Sequence, residues 1–118
     1  MPNINYQRGY RLEYRVKKFL EKTGWTVLRS PSSKGSADLI AFNDKDKLMI
    51  QCKTTIKEAM YIYGLKDLIE DAESVKATPI LAYSFMRTPV YGTIITDDKA
   101  KFKKQEENQK LQSLLENL

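Results

Sequence analysis

Two short apolar segments separated by a polar turn constrain the fold of this chain more than any other feature. Residues 38–42 (DLIAF) are followed by the polar residues 43–47 and then by a second apolar run at residues 48–54. Runs of this length, bounded by turn-forming residues, are typical of β-strands, so the sequence predicts a hairpin. Because both runs are mostly apolar, we expect helices to cover the sheet on both faces.

The rest of the sequence alternates between helical and strand patterns. Apolar residues recur at helical spacing in residues 8–22 and 65–76. Three further strands are predicted, at residues 25–30, 79–86 and 90–96. Asp97 and Asp98 are predicted to cap a final helix. The order α-β-β-β-α-β-β-α predicts one α/β domain over residues 1–118, a central mixed β-sheet flanked by helices, with a core at about 6–96 and a C-terminal helix at about 97–118.

The composition excludes several kinds of active site. The sequence contains no histidine and one cysteine, Cys52. An imidazole base, a Ser-His or Cys-His pair, an internal disulfide and a multi-cysteine zinc site are therefore impossible within it. An enzyme with this composition has to use carboxylates, lysine, hydroxyl groups and a hard, oxygen-binding cation.

The charge balance is basic, with 20 Lys and Arg against 15 Asp and Glu, a net charge of +5. Such a balance fits a polyanionic partner such as DNA, although it equally fits ordinary solubility. No apolar run approaches the roughly 20 residues of a membrane span, and the N-terminal residues lack the apolar core of a signal peptide. We therefore expect a cytoplasmic, nucleoid-associated protein with no membrane partner.

Three polar residues converge at the open end of the predicted hairpin. Pairing the strands brings Asp38 to the level of Gln51 and Lys53, which share a sheet face because side chains alternate along a strand. Asp38, the Gln51 amide and the backbone carbonyl of Cys52 can offer oxygen ligands to Mg²⁺. Lys53 would orient the attacking water or neutralise developing phosphate charge. The alternative is a solvated strand end with three polar residues.

Glu13 is a further candidate, because it lies at the border of the buried face of the first helix. From that border its side chain can reach the edge of the sheet and strengthen the predicted metal site. The alternative is an ion pair on the helix surface with Arg11, Arg15 or Lys17, which is common on basic helices.

The loop before Asp38 combines small hydroxyl residues, a glycine and two cations, Arg29 and Lys34. This composition suits a backbone that approaches phosphate closely. It also suits a generic surface turn, so the loop alone does not discriminate between the two interpretations.

Four motifs, taken together, resemble the archaeal Holliday junction resolvases of the PD-(D/E)xK nuclease superfamily. They are Arg8-Gly9 with Glu13 downstream, VLRSPSS at residues 27–33, DLIA at 38–41 and IQCK at 50–53. The resemblance covers about residues 6–96. It implies a restriction-endonuclease-like fold and a Mg²⁺-dependent endodeoxyribonuclease, with Mn²⁺ as a substitute cofactor. It also implies a homodimer that recognises four-way DNA junctions by shape and nicks two opposed strands.

The resemblance also implies roles for individual residues. Glu13 and Asp38 match metal-binding carboxylates, and Lys53 matches the catalytic lysine. Ser33 matches a loop serine that contributes to catalysis. The predicted DNA contacts are the cations close to these motifs, namely Arg8, Arg11, Arg29 and Lys34.

Gln51 departs from the family pattern, which usually has glutamate at this position. Loss of that negative charge should weaken Mg²⁺ binding, although Glu13 can compensate. We favour an active junction nuclease in which Gln51 belongs to the site. The alternatives are a junction-binding module that has lost catalysis and a nuclease of the same fold that acts on flaps or linear duplex DNA.

Two apolar segments are candidates for the dimer interface. One is the run at residues 60–63, and the other is the leucine seam within residues 111–118. Packing inside the domain is an equally good interpretation of both.

Overall fold

A five-stranded mixed sheet forms the centre of the fold in the computed structural model. The structure describes residues 4–30 and 36–118, and in the first helix it describes side chains from residue 8 onward. The elements in chain order are α1 (Ile4–Lys22), β1 (Thr26–Arg29), β2 (Leu39–Phe42), β3 (Lys47–Thr55), β4 (Ala59–Ile62), α2 (Lys66–Ser74), β5 (Thr78–Phe85), β6 (Tyr91–Ile94), β7 (Ala100–Lys103) and α3 (Leu111–Glu116).

The strand order of the central sheet is β1-β2-β3-β5-β6. Strands β3 and β5 run parallel, and every other neighbouring pair in this sheet is antiparallel. A crossover that contains β4 and α2 joins the parallel pair, as parallel strands require. Strands β4 and β7 form a separate two-stranded sheet. The predicted mixed sheet with flanking helices is therefore confirmed.

Helix α1 packs on one face of the central sheet through a stripe spaced four residues apart. Leu12, Val16 and Leu20 are almost completely buried and pack in one cluster with Leu48 and Ile50 of β3. Burial of each such side chain stabilises the fold by about 1.5–3 kcal/mol. No helix in the described part of the chain is long and apolar enough to cross a membrane.

Thr23 and Gly24 follow Lys22 and end α1. The Thr23 hydroxyl donates a hydrogen bond to the Leu20 carbonyl at 3.0 Å, and the Trp25 N–H reaches the same carbonyl at 3.1 Å. Gly24 has a φ of +96°, which a residue without Cβ adopts at low cost. This tight exit directs the chain from α1 into β1, the edge strand of the sheet.

A second cluster covers the opposite face of the sheet. Leu65 and Leu68, at the start of α2 and within it, pack with Leu81 and Tyr83 of β5. Tyr83 also stacks on Phe102 of β7, with ring centroids 4.0 Å apart. Both faces of the sheet are thus covered at β3 and β5, whereas Ile40 and Phe42 of β2 are exposed on the face opposite α1.

The predicted hairpin is present and pairs β2 with β3. Its register joins Leu39 to Ile50 and Phe42 to Lys47. The Asn43 side chain closes the turn by accepting hydrogen bonds from the backbone N–H groups of Lys45 and Asp46, at 2.9 and 2.7 Å. Strand β3 continues to Thr55, whereas β2 begins at Leu39, so β3 extends past β2 at the end where Asp38 lies.

The prediction of one helix over residues 97–118 is wrong. Residues Ala100–Lys103 form β7, which pairs with β4, and α3 begins only at Leu111. The segment AKFK alternates in burial, which is the pattern of a strand rather than of a helix. The short strand β4 was also missed, because its partner lies about 40 residues away in sequence.

The predicted role of Asp97 and Asp98 as caps of the final helix is wrong too. The Asp98 carboxylate accepts a hydrogen bond from the backbone N–H of Lys66 at 2.9 Å, and the Asp98 carbonyl accepts one from Leu65 at 2.9 Å. Leu65 holds the N-cap position of α2 and has no side-chain acceptor. Asp98, which is distant in sequence, therefore accepts a hydrogen bond from an N–H group that has no acceptor within α2.

The two segments that were interface candidates each contribute part of their apolar residues to the core. Met60 and Ile62 are buried in the second cluster, whereas Tyr61 and Tyr63 are exposed. Leu111 and Leu114 are buried, and Leu118 is exposed. A role in dimerisation remains a prediction for the exposed residues of both segments.

Replacing Asp98 with alanine is expected to destabilise the protein by about 1 kcal/mol, because the Lys66 N–H loses its acceptor. Urea unfolding followed by circular dichroism measures the change. Asp44→Ala, in the exposed hairpin turn, is the matched control and should stay within about 0.5 kcal/mol of the wild type. A loss of equal size in both variants would contradict the capping role.

Candidate active site

The backbone of Asp38 is fixed from two sides immediately before β2. Its N–H donates a hydrogen bond to the Ile50 carbonyl at 2.8 Å, and its carbonyl accepts one from the Ser30 N–H at 2.9 Å. The register pairs Ile50 with Leu39, so two successive residues face the same partner, as in a β-bulge. A bulge turns a side chain away from regular alternation, which is a common device beside active sites.

The Asp38 carboxylate extends the hydrogen-bond ladder of the sheet. Its Oδ2 accepts a hydrogen bond from the Cys52 N–H at 2.7 Å, where a further β2 residue would otherwise pair. The N–H and C=O groups of one strand residue point to the same neighbouring strand. The Cys52 carbonyl therefore points to the same open edge as the Asp38 carboxylate, as expected for the predicted backbone ligand.

Glu13 of α1 pairs with Arg29 at the end of β1. Arg29 Nη2 donates to Glu13 Oε2 at 3.0 Å, and the Glu13 side chain is only 20% exposed. The Arg29 guanidinium also lies over the ring of Tyr10, 4.6 Å from its centroid, a cation–π contact. Helix α1 thus holds Arg29 through two residues, Tyr10 and Glu13, spaced three apart.

Among the residues that the structure describes, Glu13 forms no ion pair with Arg11, Arg15 or Lys17, which was the alternative role for it. Lys17, one of its expected partners, pairs with Glu21 instead, at 3.5 Å. Glu13 lies at the border of the buried face, as the sequence predicts, and faces β1 across the helix–sheet junction.

The two carboxylates of the site influence one another electrostatically. Partial burial raises the pKa of Glu13 above its ordinary value, and the negative charge of Asp38 raises it further. Arg29 acts in the opposite direction by charge and by hydrogen bonding but does not reverse the rise. Carboxylates in this arrangement favour an added positive charge, either a proton or a cation.

Cys52 takes part in this region through its backbone. Burial raises the pKa of its thiol well above the ordinary range, and the charges of Asp38 and Glu13 act in the same direction. The side chain packs in the cluster beneath α1. The thiol is therefore neutral near pH 7 and unsuited to act as a thiolate ligand, so the Cys52 side chain contributes packing.

Gln51 and Lys53 flank Cys52 on β3, and their side chains alternate to the other face of the sheet. Their register partners on β5 are Leu81 and Tyr83, members of the second cluster. Gln51 is half-buried and Lys53 is exposed. The structure thus brings Glu13, Asp38 and the Cys52 backbone together at one edge of the sheet, and Gln51 and Lys53 are the immediate neighbours of Cys52 in β3.

No group of three His, Cys, Asp or Glu residues that could hold a metal ion occurs within residues 4–30 and 36–118. The two carboxylates present are Glu13 and Asp38. A metal bound at this edge would therefore need further oxygen ligands from the Cys52 carbonyl, the Gln51 amide or water.

The predicted DNA-contacting residues fall into separate locations. Arg29 lies beside Glu13, whereas Arg8 and Arg11 line a depression on the other flank of α1. Ser33 and Lys34 lie outside the residues that the structure describes. Tyr10 was not among the predicted site residues, although its position three residues before Glu13 places both on one side of a helix.

Comparison with known proteins identifies the family. The family model for the archaeal Holliday junction resolvase, Hjc, matches residues 4–117. The chain belongs to the archaeal Holliday junction resolvase family. The resemblance drawn from the four sequence motifs is therefore confirmed.

Two members of the Hjc family illustrate the similarity. The crossover junction endodeoxyribonuclease Hjc of Methanocaldococcus jannaschii is 39% identical over 82 residues, which cover 68% of this chain. The match spans 61% of the length of that relative. The structure of Archaeoglobus fulgidus Hjc, a Holliday junction resolvase from an archaeal hyperthermophile, matches with a TM-score of 0.76 and 18% identity. It covers 91% of this chain and 94% of that one, and it shows the shared fold.

Replacing Asp38 with asparagine is expected to lower the pKa of Glu13, because it removes the charge that opposes Glu13 ionisation. Arg29→Gln should raise that pKa further, because Arg29 stabilises the ionised form. Titration of the Glu13 side-chain carboxyl by ¹³C NMR measures both changes. Asp44→Asn, in the hairpin turn, should leave Glu13 unchanged. Identical titration curves in all the proteins would rule out coupling between Glu13 and Asp38.

Proposed function

We propose that this protein is a metal-dependent endodeoxyribonuclease that resolves four-way DNA junctions. The observation that carries the proposal is the placement of Glu13 and Asp38 beside the Cys52 backbone, at the edge where β3 extends beyond β2. The family match and the name of the M. jannaschii relative support the same activity. The net charge of +5 suits a DNA partner, and binding to DNA would keep the protein at the nucleoid.

The donor set fits a hard divalent cation. Two carboxylates and a backbone carbonyl are the kind of oxygen ligands that Mg²⁺ binds together with several waters, and Mn²⁺ accepts similar ligands. Glu13, Asp38 and the Cys52 carbonyl would hold the ion, with the Gln51 amide as a neutral ligand. Such an ion supplies a more acidic bound water and neutralises charge on the phosphate.

The protein residues of the site have separable roles. Asp38 is held by backbone hydrogen bonds on both sides, so its carboxylate is oriented before any ligand arrives. Arg29 is 47% exposed, and its planar guanidinium suits a phosphate oxygen pair while one edge stays on Glu13. Lys53 is exposed and free to orient the attacking water or to stabilise the developing negative charge.

Loss of the Asp38 carboxylate should abolish junction cleavage. Asp38→Ala removes a metal ligand, so we expect the rate on a four-way junction to fall at least about 100-fold. The assay incubates purified protein with four-way junctions and with linear duplex of matched sequence, in Mg²⁺. Asp44→Ala, which removes an exposed carboxylate of the hairpin turn, is the control and should cut at the wild-type rate. Equal cleavage by Asp38→Ala and wild type would refute the assigned site.

Substitution of Gln51 distinguishes an active nuclease from a module that only binds junctions. If Gln51 weakens the metal site, Gln51→Glu adds a negative charge and should lower the Mg²⁺ concentration needed for half-maximal cleavage. Junction binding in EDTA with no cleavage in Mg²⁺ or Mn²⁺, and no rescue by Gln51→Glu, would favour the binding module. Flap and nicked substrates in the same assay test the remaining alternative, a nuclease of the same fold that acts on a different DNA structure.

Paired cuts in a symmetric junction require two active sites, and we propose that a twofold homodimer supplies them. The structure offers an apolar face on the side of the sheet opposite α1, formed by Ile40, Phe42, Met49 and Val75. These residues line a depression of about 510 Å³, and Phe42 is 38% exposed. A second copy of this chain is the proposed partner, because an isologous contact pairs such a face with itself.

Charge placed on this apolar face should separate the dimer. Phe42→Lys puts two lysines into the symmetric contact, and because Phe42 is partly exposed the monomer should still fold. Multi-angle light scattering after gel filtration, over a range of concentrations, measures the change in mass. Tyr63→Lys tests the other candidate segment. Dissociation by Tyr63→Lys and not by Phe42→Lys would move the interface to residues 60–63.

A further inference from the structure

Four arginines line one depression on the flank of α1 that faces away from Glu13. Arg8, Arg11 and Arg15 follow one another at spacings of three and four along α1, and Arg87 projects from the turn between β5 and β6. The depression has a volume of about 310 Å³. None of the four forms an ion pair with any acidic side chain among the residues that the structure describes.

The floor of the depression is polar and lies at the C-terminal ends of the parallel strands β3 and β5. Thr54 and Ser84 are register partners there, with their hydroxyl oxygens 3.0 Å apart. The Thr54 hydroxyl also lies 3.2 Å from the Ser84 carbonyl, as a donor. Ser84 is only 5% exposed. Hydroxyl groups beneath cationic walls suit an anion with several oxygen acceptors.

Arg87 occupies a backbone conformation that favours glycine or asparagine. Its φ is +63°, in the left-handed region, which is uncommon for other residues. The Thr88 hydroxyl closes this turn by accepting a hydrogen bond from the Phe85 N–H at 3.0 Å. Asparagine or glycine at this position would adopt the same conformation at lower cost.

We propose that this depression binds a backbone phosphate of the DNA substrate, separate from the phosphate that is cut. The proposal rests on the nuclease function proposed above. Guanidinium groups match phosphate oxygens in planar, bidentate pairs, and four of them converge here without a carboxylate to neutralise them. Such contacts position a nucleic acid without reading its sequence, as recognition of a junction by shape requires.

The position of the depression relative to Asp38 suits one continuous DNA strand. Thr54 follows Cys52 by two residues on β3, and both side chains point to the α1 face. At about 3.3 Å per residue, the two positions are roughly 7 Å apart along the strand. A strand whose scissile phosphate lies at Asp38 can therefore place a nearby phosphate of the same strand in the depression.

Arg87→Asn tests the proposal with little risk to folding, because asparagine tolerates the left-handed conformation. Binding to a four-way junction is measured in EDTA over a series of salt concentrations. Loss of one phosphate contact should lower the slope of log K against log salt by about 0.9 and raise the dissociation constant several-fold. Arg15→Gln in the same background should lower the slope again.

Lys76→Asn is the matched control. Lys76 also has a positive φ, of +59°, and it carries the same charge but lies at the C-terminal end of α2, away from the depression. This variant should retain the wild-type slope and affinity. Equal losses in Arg87→Asn and Lys76→Asn, or no change in either, would overturn the phosphate site.

The two proposals fail in different ways. If wild type binds junctions but does not cut them in Mg²⁺, the nuclease function fails, while the slope difference between Arg87→Asn and Lys76→Asn still supports the phosphate site. If wild type cuts junctions and Arg87→Asn keeps the full slope, only the phosphate site fails. Absence of any DNA binding by wild type would overturn both.

Discussion

The hydrogen bond from the Cys52 N–H to the Asp38 carboxylate is the interaction on which the candidate site depends. It joins a side chain immediately before β2 to the backbone of the central strand β3, at 2.7 Å. The orientation of the Asp38 carboxylate is therefore fixed by its hydrogen bond to the sheet. The Cys52 carbonyl points to the same edge because it belongs to the same peptide ladder. The chemistry of the site is thus built on the hairpin that gives the sheet its register, and disturbance of that hairpin disturbs both.

The burial of Glu13 and its proximity to Asp38 make ionisation of Glu13 less favourable in the folded protein. The pKa of Glu13 is raised by its partial burial and by Asp38. A carboxyl group whose folded pKa exceeds its unfolded value contributes stability below the unfolded value, about 4.3, and that contribution is lost as pH rises through the folded value. The Asp38 charge opposes ionisation of Glu13, and Arg29 offsets this opposition only in part. A ligand that binds the folded state alone returns stability by mass action, so a cation at this edge would act on the fold as well as on the chemistry.

The sequence predicted what local patterns determine and missed what depends on distant partners. Helix α1 and the β2–β3 hairpin follow from apolar periodicity and turn residues, and both are present. Strands β4 and β7 are four residues each and form only by pairing with one another. The Asp98 cap and the Glu13–Arg29 pair are likewise contacts between separate elements, so no local signal reveals them. Alternation along β3 correctly separates Gln51 and Lys53 from Cys52, but it cannot fix the turned side chain of Asp38, since a bulge breaks the alternation.

Helix α1 presents Glu13 on one flank and three arginines on the other, with its buried stripe between them. A helix has 3.6 residues per turn, so one inserted residue between Arg8 and Glu13 would rotate one flank by about 100° relative to the other. The separation between the acidic edge and the basic depression is therefore set by helix α1, which is rigid, rather than by a flexible loop. Surface loops of this fold can vary in length without changing that separation, whereas the length of α1 between these two positions cannot.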